Sequence, residues 1–407
     1  MDPLTGYVQH YDWGSSDAIP AIVGADSDGT PWAEYWLGAH PKAPAVLSDG
    51  TPLDEWLTYH PEELGQASRQ AFGDRLPFLL KILSAARALS IQVHPSREQA
   101  EKGFAAENTA GLALNAPNRI FRDDWPKPEM IVALTNFDAL CGFRDPSSSL
   151  VLLSGLGKIN GLDDILAPLR ETDGLAKVVK TVLSGEHKVA AVVKDVVATC
   201  RRYLDKATDL DKATSKGTDP AVQNLARTAV ELSEDHPGDP SILVALLMNR
   251  VRLAPGQQIH LQAGTMHAYL SGTGVEIMAN SDNVLRGGLT SKYIDVQALL
   301  DHAIMAPEPC VGEYPVQVSP GVGLYRTEFP EFRMWVLDGH HGEFALPATD
   351  LGRILLVTQG QLTVHCSGKD CALHRGQSVW LPAGDEVTAT GQGRGFLASA
   401  GVDTDQP

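Results

Sequence analysis

The sequence contains few basic residues for its size. Lys and Arg number 33 against 50 Asp and Glu, so the formal net charge is -17 at pH 7. So acidic a chain repels nucleic acid phosphates and anionic membrane surfaces alike, and we expect neither as a partner. Basic residues close to a binding site are therefore informative, because an anionic ligand has to be held against this background charge.

Cysteine pairs, targeting signals and nucleotide-binding loops are also missing. No C-x-x-C pair occurs, and we expect free thiols in a reducing compartment for the five cysteines, Cys141, Cys200, Cys310, Cys366 and Cys371. The opening MDPLTGYVQHYDWG lacks the basic and apolar regions of a signal peptide, and no apolar run reaches the length of a membrane span. No P-loop or G-x-G-x-x-G follows a predicted strand, which weighs against nucleotide binding. These absences predict a cytoplasmic protein.

The apolar content is sufficient for a large core. Hydrophobic residues make up 43% of the 407 residues and charged residues 20%, as in ordinary globular proteins. A chain of this length exceeds the size at which one core usually stops growing, so two or three domains are expected.

The character of the sequence changes twice along the chain. Up to residue 145, short apolar runs broken by turns such as SDGTP favour β structure. From 146 to 249, segments such as GLAKVVKTVL and AVQNLARTAVELSED have the spacing of amphipathic helices. Short strands with Gly and Asn turns then follow to the end. The pattern predicts a mainly β protein with a helical insert between two β regions.

Two late segments, PGQQIHLQAGTMHAY and RGQSVWLPAGDEVTA, can be aligned with each other. Each has Gly-Gln, an apolar strand and a small-Gly turn, which suggests duplication of a jelly-roll-like unit. The second copy has Asp385 and Glu386 where the first has Thr265 to His267. We therefore expect one active unit and one structural unit.

Two local predictions concern the region around residue 90. LPFLLKILSAA predicts a helix, with a buried strand as the alternative for so short a run. Ser96 and Gln99 form a capping-box pattern behind Pro95, which predicts that another helix begins there. The strand before it therefore ends at His94.

The strand in LSIQVHPS has polar residues on one face. Ser90, Gln92 and His94 alternate with apolar neighbours, which is typical of a half-exposed strand or of a strand that lines a metal site. Glu129 opens another apolar strand and His267 follows a Gly turn, and each has an ordinary solvated or hydrogen-bonded alternative. Two imidazoles, a carboxylate and an amide would together suit a borderline divalent ion such as zinc.

Several long motifs occur along the chain. They are YDWGS, AEYWLGAHPKAPA, LPFLLKILSAARALSIQVHPS, KPEMIVAL and PGQQIHLQAGTMHAYLSGTGVEIMANSDNVLRGGLTSKYIDV. These motifs resemble those of the type I mannose-6-phosphate isomerases, also called phosphomannose isomerases. They occur in the family's order and span residues 11 to 296. The resemblance implies two cupin-like jelly-roll β-barrels plus an α-helical domain: a catalytic barrel split over 1–145 and 250–310, a helical insert at 146–249 and a second barrel at 311–407.

The resemblance also implies the site residues. One zinc ion per chain would be bound by Gln92, His94, Glu129 and His267, and the active-site arginine is Arg286. The motif departs from the family at Trp125 and Pro126, which replace a frequent Asn-His pair before KPE. The family histidine therefore has no counterpart at this position.

The implied reaction interconverts mannose 6-phosphate and fructose 6-phosphate through an enediolate, whose charge Arg286 would stabilise. We expect Lys127 to shuttle the proton if burial lowers its pKa, with Asp282 and Glu276 as other bases. Ser90 and Lys292 are candidates for binding the phosphate, and Tyr269, Glu276 and Asp282 for binding the sugar.

The expected state is a monomer, with an oligomer left open. A cupin-type metal dioxygenase and a non-catalytic regulatory protein that binds a sugar phosphate are the alternative functions.

Overall fold

The computed structural model describes residues 1–213 and 219–402. Parts of the predicted helical insert, at 214–218, and of the predicted C-terminal barrel, at 403–407, lie outside these residues. Twenty strands form two antiparallel sheets of ten strands each, and eleven α-helices accompany them in the described part of the chain. The prediction of a mainly β protein with helices is confirmed at this level.

The strands divide between the two sheets as follows. The first sheet contains β2 (Tyr7–Gln9), β3 (Glu34–Gly38), β5 (Phe78–Ala85), β6 (Ile91–Val93), β7 (Glu129–Ala133), β8 (Phe137–Phe143), β9 (Met248–Leu253), β10 (Gln258–Leu261), β11 (His267–Ala279) and β12 (Leu285–Gly288). The second contains β1 (Asp2–Thr5), β4 (Val46–Leu47), β13 (Val316–Ser319), β14 (Val322–Tyr325), β15 (Arg333–Asp338), β16 (Phe344–Ala345), β17 (Arg353–Cys366), β18 (Lys369–His374), β19 (Ser378–Leu381) and β20 (Val387–Ser399).

Most helices lie between β8 and β9. The helices are α1 (Ala18–Val23), α2 (Leu53–Tyr59), α3 (Gln66–Phe72), α4 (Arg97–Thr109), α5 (Pro146–Ser154), α6 (Leu162–Leu166), α7 (Gly174–Leu183), α8 (His187–Ala213), α9 (Pro220–Asp235), α10 (Ile242–Leu246) and α11 (Val296–His302). Among the described residues, no helix combines the length and the apolar character needed to cross a membrane.

Strand β11 connects two groups of strands in the first sheet. Its residues from Gly272 onward pair with β5 and β7, whereas its start at His267 pairs with β6 and β8. Gly272 lies where the strand passes from one group of partners to the other, and its φ is 119°. A Cβ added there would be 2.7 Å from the backbone oxygen of Asn136. Over residues 1–213 and 219–402, neither sheet closes on itself. The closed barrels expected from the sequence are therefore not confirmed.

Strand β5 occupies the segment for which a helix was predicted, so that prediction is wrong and its alternative, a buried strand, is correct. All eight residues are buried, and the strand pairs with β3 on one side and β11 on the other. Phe78, Leu80 and Ile82 pack in the core between the two sheets, while Lys81 and Leu83 point to the other face. Since both faces are covered, the apolar run carries no alternation that would identify a strand.

Helix α4 begins as predicted. The Ser96 hydroxyl accepts a hydrogen bond from the Gln99 backbone N–H, and the Gln99 side chain accepts one from the Ser96 N–H. This reciprocal cap ends the β6 segment immediately after His94.

The two aligned late segments have the same local structure. Gly256 and Gly376 have φ values of 88° and 86°, and Gly264 and Gly384 have values of 86° and 90°. Each second glycine precedes a strand of 13 residues, β11 or β20. The position of His267 corresponds to Val387, which is buried in an apolar cluster of the second sheet, so the second copy has no imidazole there.

Two cysteines are paired, so the expectation of five free thiols is wrong. Cys141 in β8 and Cys310 form a disulfide with their Cα atoms 6.1 Å apart, whereas Cys200, Cys366 and Cys371 are free. The chain after α11 runs beside β8, where Pro307 bridges to Phe143. A pair separated by 169 residues leaves no spacing pattern in the sequence.

Two apolar clusters fix the strands that carry the candidate ligands. Helices α5 to α10 pack against Ile91 and Val93 of β6 and Leu285 of β12. The opposite side of the first sheet packs on the second sheet, with Met130 in the same cluster as Trp380. The first sheet is thus held between helices and a second sheet, which restricts movement of its polar interior.

Candidate metal centre and active site

Three of the predicted metal ligands come together. His94 directly follows β6, Glu129 begins β7 and His267 begins β11, and all three are buried. Their ligand atoms lie within 4.8 Å of one another. The β-sheet ladders produce this meeting, because Glu129 pairs with Leu261 just before the turn that leads to His267.

Both imidazoles direct a lone pair toward the carboxylate. His94 Nδ1 donates to the carbonyl oxygen of Asn283 at 2.8 Å, and His267 Nδ1 donates to that of Thr265 at 3.0 Å. A carbonyl oxygen can only accept, so each Nδ1 carries the proton and each Nε2 is bare. These Nε2 atoms lie 3.2 and 3.4 Å from the oxygens of Glu129.

Such an arrangement requires a cation. His94 Nε2 is buried and has no hydrogen-bond partner in the described part of the chain, and two lone pairs facing a carboxylate are unfavourable unless something positive lies between them. Two imidazole nitrogens and a carboxylate are a donor set that zinc prefers. The residues therefore fit a zinc ion.

The electrostatics of the cluster keep its members in the ligating protonation state. Burial, together with the nearby Lys127 ammonium, lowers the pKa of His94 from 6.5 to about 4. Burial alone would raise the pKa of Glu129, but Lys127 and the imidazoles hold it well below its usual range. At neutral pH the cluster therefore contains a neutral His94 and an ionised Glu129.

Gln92 lies next to this group. It is directly opposite His267 in one ladder and opposite Arg286 in another. Its amide nitrogen donates to the Ser90 hydroxyl at 3.3 Å, so its carbonyl oxygen is the end available to a cation.

Two adjoining cavities collect the other predicted residues. The larger has a volume of about 620 Å³ and the smaller about 60 Å³, and Ser90, Gln92 and Lys127 line both. Asp282, Arg286 and Lys292 line the larger cavity. Glu129, His267, Tyr269 and Glu276 line the smaller. All predicted site residues except the buried His94 thus line one or both of these adjoining cavities.

Lys127 lies at the junction of the cavities. Its Nζ is 2.9 Å from Oε1 of Glu129, and its side chain is largely buried. The preceding Trp125, where the sequence departs from the family motif, is buried against Phe72 with the Arg75 guanidinium 4.3 Å from its ring centroid. The unusual Trp-Pro pair thus anchors the loop that presents Lys127.

A buried ion-pair network that was not predicted from the sequence lines the smaller cavity. Lys81 of β5 lies 2.6 Å from Glu276 and 3.2 Å from Glu34. The Tyr269 hydroxyl donates to the other oxygen of Glu276 at 2.8 Å. Although burial alone would lower it, these carboxylates raise the pKa of Lys81. A single lysine inside an apolar run was the available signal, and the incorrect helix prediction concealed which face it occupies.

Asn283 was also missed. It is fully buried, its side-chain oxygen accepts from the backbone N–H of Arg122 at 2.7 Å, and its amide donates to the carbonyls of Asp123 and Trp125 at 2.8 Å each. Its own carbonyl accepts from His94. It therefore joins a ligand to the loop that carries Lys127.

Three cations, Arg122, Arg286 and Lys292, are close together, and the last two line the larger cavity. Burial, together with the charge of Arg122, lowers the pKa of Arg286. Burial, together with the charges of Arg286 and Arg122, lowers the pKa of Lys292. Within the described residues, none of the three forms an ion pair with a carboxylate. In so acidic a protein, such a cluster is suited to an anion.

Comparisons with known proteins show the family to which the chain is similar. The type I phosphomannose isomerase catalytic domain matches residues 1–146. The mannose-6-phosphate isomerase of Salmonella typhimurium is 34% identical over 411 residues, which cover 97% of this chain and 98% of that protein. Mannose-6-phosphate isomerase 1 of Arabidopsis thaliana is 31% identical and covers 98% of this chain and 93% of its own length.

Solved structures give the same result. A crystal structure of mannose 6-phosphate isomerase bound with zinc and yttrium matches with a TM-score of 0.85 at 31% identity, covering 99% of this chain and 100% of that one. A zinc-bound holo form matches with a TM-score of 0.84, also at 31% identity, and covers 98% and 99%. Since both sequence and fold match over nearly the whole length, the chain belongs to the type I mannose-6-phosphate isomerase family.

Proposed function

We propose that this protein is a zinc-dependent isomerase that interconverts mannose 6-phosphate and fructose 6-phosphate. The observation that carries the proposal is the meeting of two bare imidazole nitrogens and an ionised carboxylate beside a cavity that also contains unpaired cations. The first group suits zinc and the second suits a phosphate. Family membership supplies the substrate pair, since the relatives are named for it.

One zinc ion would be held by Gln92, His94, Glu129 and His267. When bound, zinc supplies a Lewis acid that polarises and orients substrate oxygens. The protein contributes the orientation of its ligands, because backbone carbonyls hold both imidazoles with Nε2 toward the ion.

The reaction is balanced without a redox cofactor. The hydrogen on C2 of the aldose moves to C1, and the proton of the C2 hydroxyl moves to the C1 oxygen, through an enediolate. Lys127 is our candidate to carry the carbon-bound proton: after losing its ammonium proton, the neutral amine would take the proton from C2 and return it to C1. It lines both cavities beside Glu129. Arg286, which is always charged, would stabilise the negative charge that develops on the enediolate oxygens.

The remaining roles follow from position in the cavity. Ser90 and Lys292 would bind the phosphate, and Arg122 adds charge to that region. Asp282 would accept from a sugar hydroxyl. Tyr269 and Glu276 already bond to each other in the smaller cavity, so they would contact the sugar as a pair.

Finer structural expectations belong to the same proposal. They are two cupin-type jelly rolls, with one unit at 1–145 and 250–310, a helical insert at 146–249 and a second unit at 311–407. The matching turns before β11 and β20 support two related units. A cytoplasmic location and a monomeric state stay predictions.

Neither alternative function gains support from the relatives. A metal dioxygenase would consume oxygen, and a regulatory protein would bind the sugar phosphate without converting it.

The test is a coupled assay of the purified protein with mannose 6-phosphate before chelation, after chelation and after zinc is restored. We expect turnover to disappear with the chelator and return with zinc. Arg286→Lys keeps the charge but loses the planar guanidinium, so its kcat should fall at least about tenfold. Folded, zinc-loaded wild-type protein without turnover would refute the proposal.

A further inference from the structure

His40 is a buried histidine that the mechanism above does not use. It lies in the loop after β3, lines the larger cavity and is 3% exposed. Its ring packs edge-on against Trp36, with the ring centroids 4.8 Å apart. Since it lies outside the metal cluster, its position in the cavity calls for a separate explanation.

The hydrogen bonds of His40 define its tautomer. Nδ1 accepts from the backbone N–H of Lys42 at 3.2 Å, so the ring proton is on Nε2. This Nε2–H faces Oδ2 of Asp282 at 3.7 Å. Burial is the main reason that the pKa of His40 falls from 6.5 to about 4, so the ring is neutral at pH 7 and acts as a donor without charge.

The same loop directs a second donor to the same oxygen. Lys42 Nζ lies 2.6 Å from Oδ2 of Asp282. Elsewhere in the described residues, no hydrogen bond or ion pair reaches the other oxygen, Oδ1. Asp282 is part of the wall of the larger cavity, together with Lys127 and Arg286. One oxygen is thus fixed by the protein and the other is available to a ligand.

We propose that His40 is a positioning residue for Asp282: with Lys42 it holds Oδ2, so that Oδ1 accepts a hydroxyl hydrogen of the sugar. The inference rests on the proposed function, because it takes the sugar phosphate as the ligand. A shift of less than 1 Å converts the 3.7 Å contact into a hydrogen bond, as expected for active-site contacts that tighten when substrate binds.

Several charged groups surround this pair. The charges of Lys42, Lys81 and Lys127 help to lower the pKa of His40. The charge of Asp282 in turn helps to raise the pKa values of Tyr11 and Asp123. Lys42 and Lys127 favour the carboxylate, and with His40 they outweigh burial and lower the pKa of Asp282. Removing one donor should therefore raise that pKa and shift the acid limb of activity to higher pH.

Two substitutions separate the positioning role from a structural one. His40→Asn keeps an acceptor for the Lys42 N–H but has no group that reaches Asp282. His40→Gln has an amide nitrogen near the position of Nε2 and keeps the donor. The matched control is His374→Leu in β18 of the second sheet, where the histidine is exposed.

The measurement is the pH profile of kcat/KM with mannose 6-phosphate for zinc-loaded variants. We expect His40→Asn to lose at least about tenfold in kcat/KM and to move the acid limb up by about half a pH unit or more. His40→Gln should remain within about threefold of wild type with an unshifted limb, as should the control.

Each other outcome has a definite meaning. Wild-type protein without turnover refutes the proposed function itself. Active wild type with equal losses in the Asn and Gln variants, an unshifted limb, or full activity in the Asn variant overturns the role of His40. Failure of only the Asn variant to fold or retain zinc also overturns it, because His40 would then be structural.

Discussion

At the scale of single residues, the candidate metal centre depends on groups that do not face the metal position. Asn283 is the main example, because its carbonyl fixes the tautomer of His94 while its side chain holds the loop from Arg122 to Trp125. Through these hydrogen bonds, one residue links two segments that are far apart in sequence but contribute to the same site. Mutation of such outer contacts typically lowers metal affinity or activity by about 10- to 100-fold.

Replacing Asn283 by Asp tests this dependence. The new carboxylate oxygen would take the place of the amide that donates to the carbonyls of Asp123 and Trp125, and two acceptors would then repel each other. We expect zinc affinity to fall about 10- to 100-fold and the free energy of unfolding to fall by about 2 kcal/mol. Competition with a chelating dye and thermal melting measure both, with exposed Asn160→Asp as the control. Unaltered zinc affinity would contradict the role given to Asn283.

Lys81 permits a second test at this scale. Lys81→Met would leave Glu34 and Glu276 buried without their shared cation, and breaking such a pair costs about 3 kcal/mol of unfolding free energy. The double variant Lys81→Met, Glu276→Gln removes one of the stranded charges and should recover part of that loss. Denaturant unfolding of both variants checks the order. A double variant less stable than Lys81→Met would show that the carboxylates are not the cause.

At the scale of elements, local signals predicted what local interactions determine. Helix α4 was predictable because its cap joins Ser96 and Gln99, three residues apart. Strand β5 was not, because its partners are β3 and β11, and a run buried on both faces reads equally well as a helix. Residue spacing could propose a polar strand face around Gln92, but only the ladder of β11 brings His267 opposite to it. The ligand set therefore depended on the family resemblance.

Strand β12 illustrates how an element holds a functional side chain. It carries Arg286, and it ends at Gly288, whose φ is 135° and whose added Cβ would lie 2.1 Å from the Cβ of Ser241. The Ser241 hydroxyl accepts from the Leu289 N–H at 2.7 Å, which ties the strand end to the start of α10. The helices thus fix the end of the strand that carries the arginine.

Gly288→Ala should therefore disturb both stability and activity. We expect the free energy of unfolding to fall by at least about 2 kcal/mol, because the backbone angle and the space both exclude a methyl group. kcat should fall as well, since Arg286 is displaced. Gly185→Ala is the control: its φ is 77° with open space around it, so only about 1 kcal/mol is expected. Equal losses of stability in the two variants would show that the contact with Ser241 is unimportant.

At the scale of the whole molecule, the cavity joins distant parts of the chain. Asp235 at the end of α9 accepts from the Ala88 N–H at 3.0 Å and lines the larger cavity with residues of the first sheet. The change from β to helical character could be predicted from the sequence. The contact between Asp235 and Ala88 could not, because it links residues that are 147 positions apart. The Cys141–Cys310 disulfide was hidden for the same reason.

Acid stability is a property to which two of the buried histidines contribute together. His40 and His94 have pKa values of about 4 against an ordinary 6.5. Between pH 6.5 and 4 the unfolded chain therefore binds more protons than the folded one, so stability falls as pH falls through that window. Each histidine contributes a slope of up to about 1.4 kcal/mol per pH unit. Acidification also reduces the repulsion from a net charge of -17, which opposes this loss.

A substitution separates the two effects, because it removes one histidine and leaves the surface charge unchanged. Metal-free wild type and His40→Gln should be unfolded by denaturant at several pH values from 7 to 4. We expect wild type to lose stability more steeply than the variant between about pH 6 and 4, since only wild type must expose His40 to protonation on unfolding. Parallel curves would mean that the pKa of His40 is not depressed in the folded protein.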